Sequence, residues 1–246
     1  PTERLYQHNA FIVPLWRQQP IEAALLNWME NHLRKIAVTH PPISACYFQV
    51  NVSQYQEEKI ALLKATGYQA VRFFYDMVRP TLENIREYPL PDGIEIRPVS
   101  PTHHPALRKS IDETSQEEWG YTEPTEEGYQ EWLTSPHFQP HLWQVAWDLS
   151  TGQVVGHVLT YIDENENQQF SRKRGYTEGV GVDRSWRRRG LARALISRSL
   201  QAQKDAGMTE SALVVDGDGS SGAARIYECC GFQTTKYAAI YRKPVF

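Results

Sequence analysis

The chain has no apolar run approaching the 18 or more residues needed to cross a bilayer, and no secretory leader is visible. A cytoplasmic chain with no membrane partner is the expectation. Cysteine is scarce: three residues, two of them adjacent (Cys229 and Cys230), make no disulfide framework and read as buried or inert thiols in a reducing compartment. Excess positive charge is missing too. A net charge of −3 lacks the basic footprint of a general nucleic-acid binder, so no nucleic-acid partner is expected. Metal-ligand patterns are nearly absent. "HFQPH" sets His137 and His141 at helical spacing, but Pro140 interrupts the helix and no third ligand follows, so no metal is expected. The chain opens at Pro1 with no initiator Met, so these residues need not be the full gene product.

What is present is enough sequence, 246 residues, for one large domain or two modest ones. The Pro-rich stretch "YPLPDGIEIRP" (88–98) reads as a joint between units 1–92 and 93–246. After it, "IEIRPV" reads as a strand. "HPALRKSIDETSQEEWG" and "TEEGYQEWL" read as short helices, the second capped by Thr125. "LWQVAWD" and "QVVGHVLTYID" read as a hairpin, "ENENQQFSRKR" as a polar loop and "YTEGVGVD" as a strand. A helix over about Gly190–Ala206 follows, with Leu191, Ala194, Leu195 and Arg198 on one face; the arginine breaks its apolar character. "SALVVDG" is a strand, "SSGAARIYECC" a helix, and "FQTTKYAAIYRKP" a strand pair or one bent strand. This order indicates an α/β or α+β domain with a mixed sheet.

The first ninety residues resemble a worn copy of this tail. "WRQQPIEAALL" (16–26) matches "WRRRGLARALI" (186–196) in Trp, Arg, Ala and Leu, with two Ile/Leu exchanges. "GYQAVRFFYDMVRP" (67–80) matches "GFQTTKYAAIYRKP" (231–244) in Gly, Gln and Pro. Trp16 stands almost at the chain start, so the first copy is expected to lack its opening strands.

"WRRRGLARALI" carries the chemistry. A helix start bears unsatisfied N–H groups and partial positive charge, and a glycine there removes the Cβ that would hold a phosphate away. Arg187-x-x-Gly190-x-Ala192 supplies that geometry, and Arg187, Arg188, Arg189 and Arg193 add charge suited to a diphosphate. A solvated basic helix start fits the spacing equally well. The copies separate the readings: the first has Pro20 and Glu22 at the glycine and alanine positions. Proline has no N–H to offer, and a carboxylate would itself fill an anion seat.

"VGVDRSWRRRGLARALI" resembles the acyl-CoA pyrophosphate loop of the GNAT N-acetyltransferases, Arg/Gln-x-x-Gly-x-Gly/Ala after a strand, and "GAARIYECCGF" is similar to that family's Tyr-bearing helix before Gly-Phe. The resemblance covers roughly 93–246, and the tandem layout is similar to the mycothiol-synthase-like subgroup. It implies a GNAT fold, α+β with a mixed, mostly antiparallel sheet flanked by helices, behind a degenerate, incomplete GNAT-like unit. It further implies that acetyl-CoA is the co-substrate, that loop 187–193 including Leu191 holds the phosphates, and that Val180, Gly181 and Val182 offer backbone N–H groups to the pantetheine and acetyl oxygen. Gly219 stands where the subgroup usually has Asn, and Asp216, Asp218 or Ser220 are the substitutes at hand.

Thioester aminolysis also needs an acid and a base. Tyr227, protonated at neutral pH, is the candidate acid; the first copy has Leu63 there. Glu178 is the candidate base, placed on one strand face with Tyr176 and Val180. Trp119, Tyr121 and Glu123 in the helix–helix loop, with loop 164–174, are the candidate acceptor contacts. The expected activity is N-acetylation of a primary amine, a small molecule ahead of a protein, by a monomer or homodimer. The competing reading is a non-catalytic acyl-CoA-binding or sensor module.

Overall fold

The structure, a computed structural model, describes residues 3–13, 16, 20–217 and 222–246. Arg17, Asp218, Gly219 and Ser220 lie outside the described residues, and with them the question of what replaces the pantetheine-holding asparagine. The chain divides into two units, 1–75 with 236–246, and 76–235. This division follows contacts rather than the Pro-rich joint: the last strand of the chain is counted with the first unit.

In the first unit, β1 (Glu3–Gln7) leads to α1 (Ile21–Ala37), β2 (Ala45–Ser53), α2 (Glu57–Ala65) and the opening of β3 (Gln69–Arg79). β1 runs parallel to β2, with Leu5 opposite Tyr47. On the other edge of β2 lies the end of β11 (Gln233–Pro244), antiparallel, with Tyr241 opposite Val50. The final segment is thus a single long strand. Phe48, Val50 and Val52 of β2 pack with Leu26 of α1, Leu63 of α2 and Tyr241 of β11. A buried carboxylate, Glu30, is held by Lys243 at 2.8 and 2.9 Å and by Arg34 at 3.0 Å. The opening of this unit is less bare than expected, since β1 precedes α1.

The second unit contains β4 (Ile94–Ile96), α3 (His104–Ser115), α4 (Glu126–Leu133), β5 (Gln144–Asp148), β6 (Val154–Val158), β7 (Tyr161–Ile162), α5 (Glu164–Gln169), β8 (Arg174–Tyr176), β9 (Gly181–Val182), α6 (Leu191–Asp205), β10 (Glu210–Asp216) and α7 (Ala223–Cys229). Strands β4-β5-β6-β9 form an antiparallel sheet. β8 pairs antiparallel with β7 and parallel with β10. Thr125 caps α4 as its sequence predicts, its hydroxyl accepting from Gly128 N at 3.1 Å. Loop 164–174 is instead partly helical. Asp163 accepts from Glu166 N at 2.9 Å, and this side-chain cap starts α5 without any apolar periodicity to announce it. The expected strand 176–183 is also broken in two.

Helix α6 is buried on more than its apolar stripe: Leu191, Ala194, Leu195, Ile196, Ser199, Leu200 and Gln203 are all covered. Its polar members are bonded beneath. Ser199 meets Thr160 at 2.5 Å, and Gln203 Nε2 donates to Thr177 at 2.9 Å, which in turn meets Ser211 at 3.0 Å. The guanidinium of Arg198 donates to the carbonyls of Tyr88 and Ala194, both at 3.1 Å, so the one polar member of the periodic face is hydrogen-bonded where it packs. Among the described residues no helix is long and apolar enough to cross a membrane.

Candidate active site

The start of α6 is open. Gly190 is its N-cap at φ +88°, no side chain caps the helix, and a Cβ on Gly190 would meet nothing within 4 Å. Ala194 N reaches Gly190 O at 3.1 Å as the first intrahelical bond, so the N–H groups of the residues just before it are free of helical partners. Arg188 is left-handed as well, at φ +62°, a conformation that costs a non-glycine residue ~1 kcal/mol or more. Two such residues in three curl the loop, a backbone form that gathers N–H groups toward an anion. The equivalent start of α1 differs: its N-cap is Pro20, with Glu22 in the first turn.

The arginines divide. Arg187 is bidentate on Glu117 at 2.8 and 2.9 Å and donates to Val182 O at 3.0 Å, while Arg184 shares the same carboxylate at 2.6 Å. These two guanidiniums hold the Glu117 carboxyl down to about 2. Arg187 therefore braces the loop against the turn after α3, and what it presents to a phosphate is backbone. Arg189 lies over the Trp186 ring at 4.7 Å, and both Arg188 and Arg193 are exposed. Leu191 is buried and belongs to the core, while Ala192 is half-buried beside the open cap.

Behind the loop the sheet parts. Thr177 N still donates to Ala212 O at 2.9 Å, the last rung joining this chain segment to β10. Four residues later Gly181 lies opposite His157 of β6, and β9 is an edge strand. Asp183 N is bonded to Val155 O at 2.9 Å. Backbone alternation therefore turns Gly181 toward β6 and places the N–H groups of Val180 and Val182 on the open edge. Gly181 is sterically required, because a Cβ would lie 2.5 Å from the His157 ring and 2.6 Å from Thr114 Oγ1.

The carboxylate site departs from simple alternation. Leu159 N donates to Glu178 O at 2.8 Å while His157 faces Gly181, so one extra residue is fitted in between. This is a β-bulge, with Gly179 at φ +52°. The bulge follows Glu178: Tyr161 opposite Tyr176 and Leu159 opposite Glu178 keep one register, so strand period leaves Tyr176 and Glu178 on a shared face and only Val180 is shifted from it. Its side chain reaches solvent, yet surrounding protein pushes its carboxyl above the ordinary value, with His137 and the Tyr161 hydroxyl pulling back. Tyr227 is 9% exposed and packs edge-on to Phe232 at 6.0 Å. Burial raises its phenol, followed by the charges of Glu118, Cys230 and Glu178, which puts the candidate acid and base within electrostatic reach of one another.

Glu118 escaped the sequence reading, which named only Trp119, Tyr121 and Glu123 in its loop. Its carboxyl is raised by burial and by Asp216 at the end of β10. Burial and then the charges of Asp112 and Glu123 raise the Tyr121 hydroxyl, and burial together with Glu123 raises the Asp112 carboxyl against the pull of Arg108. Trp119 is half-buried in that turn. A ladder of rings backs Glu178: His137 on Tyr161 at 4.3 Å, and Tyr161 on Tyr176 at 4.9 Å. His137, weighed in the sequence only as a metal ligand, pairs with Asp163 at 3.3 Å. Nothing local announces these contacts. Glu117 and Arg187 are seventy residues apart, and spacing along the chain carries no sign of their pairing.

A parted sheet whose open edge runs to an uncapped, glycine-started helix is the frame of GCN5-related N-acetyltransferase folds. The profile of the Acetyltransferase (GNAT) family matches residues 105–232, more than half of the chain, and the chain belongs to that family. It is 24% identical over 204 residues to a mycothiol acetyltransferase of Thermobifida fusca (strain YX), a match covering 74% of this chain and 60% of that protein. A mycothiol acetyltransferase of Nocardiopsis dassonvillei is 42% identical over 65 residues, 26% of this chain and 19% of the relative. The matches thus take in less than two thirds of these relatives' length. Among solved structures, a GCN5-related N-acetyltransferase from Sphaerobacter thermophilus superposes with a TM-score of 0.78 at 24% identity, covering 94% of this chain and 70% of the other. A tandem GNAT protein from the clavulanic acid biosynthesis pathway gives 0.67 at 14%, covering 98% and 75%. At these identities the likeness is one of fold.

Proposed function

We propose that residues 93–246 carry an acetyl-CoA-dependent N-acetyltransferase acting on a primary amine, a small molecule ahead of a protein, and that residues 1–92 are a degenerate, incomplete GNAT-like unit. The observation that carries the first part is the continuous track from the open β9 edge to the uncapped start of α6, with empty space over Gly190. The second part is supported by matched element ends. Aligned residues Pro20 and Gly190 cap α1 and α6, and aligned Ala65 and Cys229 end α2 and α7. The first copy keeps the helix and has neither the glycine nor the tyrosine.

The residues fit an acyl-CoA. When bound, the thioester supplies an activated acetyl group. The free N–H groups at the start of α6 receive its diphosphate. The Val180 and Val182 edge holds the pantetheine arm and donates to the acetyl oxygen as charge builds there, a donor of this kind being worth ~3 kcal/mol. Glu178 takes the proton of the acceptor ammonium, directly or through water; freeing an amine of pKa ~10 at neutral pH costs about 4 kcal/mol. Tyr227, held protonated by its raised phenol, donates to the departing sulfur. Trp119, Tyr121 and Glu123 are the acceptor contacts in this reading, and the carboxylates of Glu123 and the neighbouring Glu118 would favour a cationic amine.

The test is thiol release from acetyl-CoA over a panel of amines, beside acetyl-CoA binding by calorimetry. Turnover that falls in Tyr227→Phe with cofactor affinity near wild type supports the enzyme reading. Binding without turnover on any amine favours an acyl-CoA sensor.

A further inference from the structure

The segment that the sequence presents as a joint lies along α6 and brings a tyrosine and an arginine to its first turns. Lys204 pairs with Glu83 at 2.8 Å, Ser197 Oγ donates to Arg86 O at 2.7 Å, and Arg198 donates to Tyr88 O at 3.1 Å. The Tyr88 hydroxyl donates to the carbonyl of Cys229 at 3.1 Å, so its half-buried ring is tied to the end of α7 as well. Two guanidiniums lie against that ring, Arg86 at 5.1 Å and Arg193 at 5.3 Å. Arg193 is three residues past the Gly190 cap, ~4.5 Å along the helix axis.

Their charge is not neutralised. Arg184 and Arg187 share Glu117, whereas among the described residues no carboxylate pairs with Arg86 or Arg193. Stacking on one tyrosine sets the position of the two arginines and leaves their charge for an anion. An arginine fork matches the oxygens of a phosphate.

We propose that Arg86 and Arg193, held by Tyr88, form a second phosphate subsite that receives the 3′-phosphate on the ribose of coenzyme A. This rests on the acetyl-CoA reading above and adds a site to it. The start of α6 provides for the diphosphate, and the 3′-phosphate is a separate dianion on the adjoining ribose, which needs cations of its own a few ångströms away. Arg86 and Tyr88 lie outside residues 105–232, so the family's shared motif does not supply them.

The experiment is calorimetric binding of coenzyme A and of 3′-dephospho-coenzyme A to the whole chain, as wild type, Arg86→Gln and Arg86→Lys. Arg86 is exposed, so the variants are expected to fold, which circular dichroism checks. Wild type is expected to prefer coenzyme A. Arg86→Gln is expected to weaken coenzyme A about tenfold and leave 3′-dephospho-coenzyme A unchanged, with Arg86→Lys in between. Equal weakening of both ligands in Arg86→Gln, or a wild type indifferent to the 3′-phosphate, overturns the subsite while leaving the acetyl-CoA reading intact. Failure of the wild type to bind either ligand overturns both.

Discussion

At the scale of residues, the proposed phosphate seat separates into side chains that brace the loop and backbone left free at the start of α6. Gly190 is needed for its left-handed φ, not for packing, so every replacement there mixes strain with any effect on anions. Ala192 is the cleaner probe, since its position is ordinary helix. Ala192→Glu copies Glu22 of the first unit and is expected to cost acetyl-CoA affinity at least tenfold by calorimetry, the order of an uncompensated charge beside a phosphate. Its melting temperature should stay near wild type. Gly190→Ala is expected to show the reverse balance, with ~1 kcal/mol of stability lost in denaturant titration and a smaller loss of affinity. Glu178 makes a second prediction. Its carboxyl is raised, and the proposed base would work only when ionised, so kcat/KM should fall as pH drops through that raised value. Glu178→Gln should remove this limb, lose about 10²-fold at neutral pH, and recover toward the acceptor's own pKa. A variant that keeps the wild-type pH profile would return Glu178 to being a surface carboxylate.

At the scale of elements, the decisive event is the parting of β9 from β10. Thr177 and Ser211, bonded to each other beneath Gln203, sit at the last paired rungs, so α6 is pinned where the strands diverge. His157 forms the other wall: buried, with Nδ1 3.2 Å from Ser110 Oγ and its ring against Gly181. Burial lowers its imidazole from 6.5 to about 4, which makes the β6–β9 seam acid-sensitive. The unfolded chain binds this proton below about pH 6.5 and the folded chain only near 4, so stability is full above 6.5 and is lost as pH falls between those values. The most this one group contributes is about 3 kcal/mol. Denaturant titrations at pH 7.5, 6 and 5 should show that decline in the wild type. In His157→Gln the decline should flatten, whatever the overall cost of the substitution.

At the scale of the whole molecule, chain order and compact units disagree in an informative way. The end of β11 pairs with β2, and Ala239, Tyr241 and Val245 belong to the first unit's core. Ending the chain after Thr235 should therefore bare an edge of β2 and leave Glu30 without Lys243. Hydrogen exchange in Ala45–Ser53 is expected to rise toward the unfolded rate. Protection there equal to wild type would mean that the first unit holds without its borrowed strand.

Much of the second unit was legible in the chain itself. Alternation and helical period locate β5, β6, α6 and β10, Thr125 marks the start of α4, and the comparison of Pro20 and Glu22 with Gly190 and Ala192 marks the two helix starts as different, one a proline and the other an uncapped glycine. These are local properties: side-chain volume, backbone freedom and charge act within a turn or two, so sequence spacing records them. The bulge at Gly179, the bracing of Arg187 by Glu117, the carboxylates around Tyr227 and the path of residues 80–92 along α6 were decided only by the tertiary structure. Each depends on groups brought together across tens of residues or more, where the free energy comes from packing and from removing charge from water, and spacing along the chain carries no record of it.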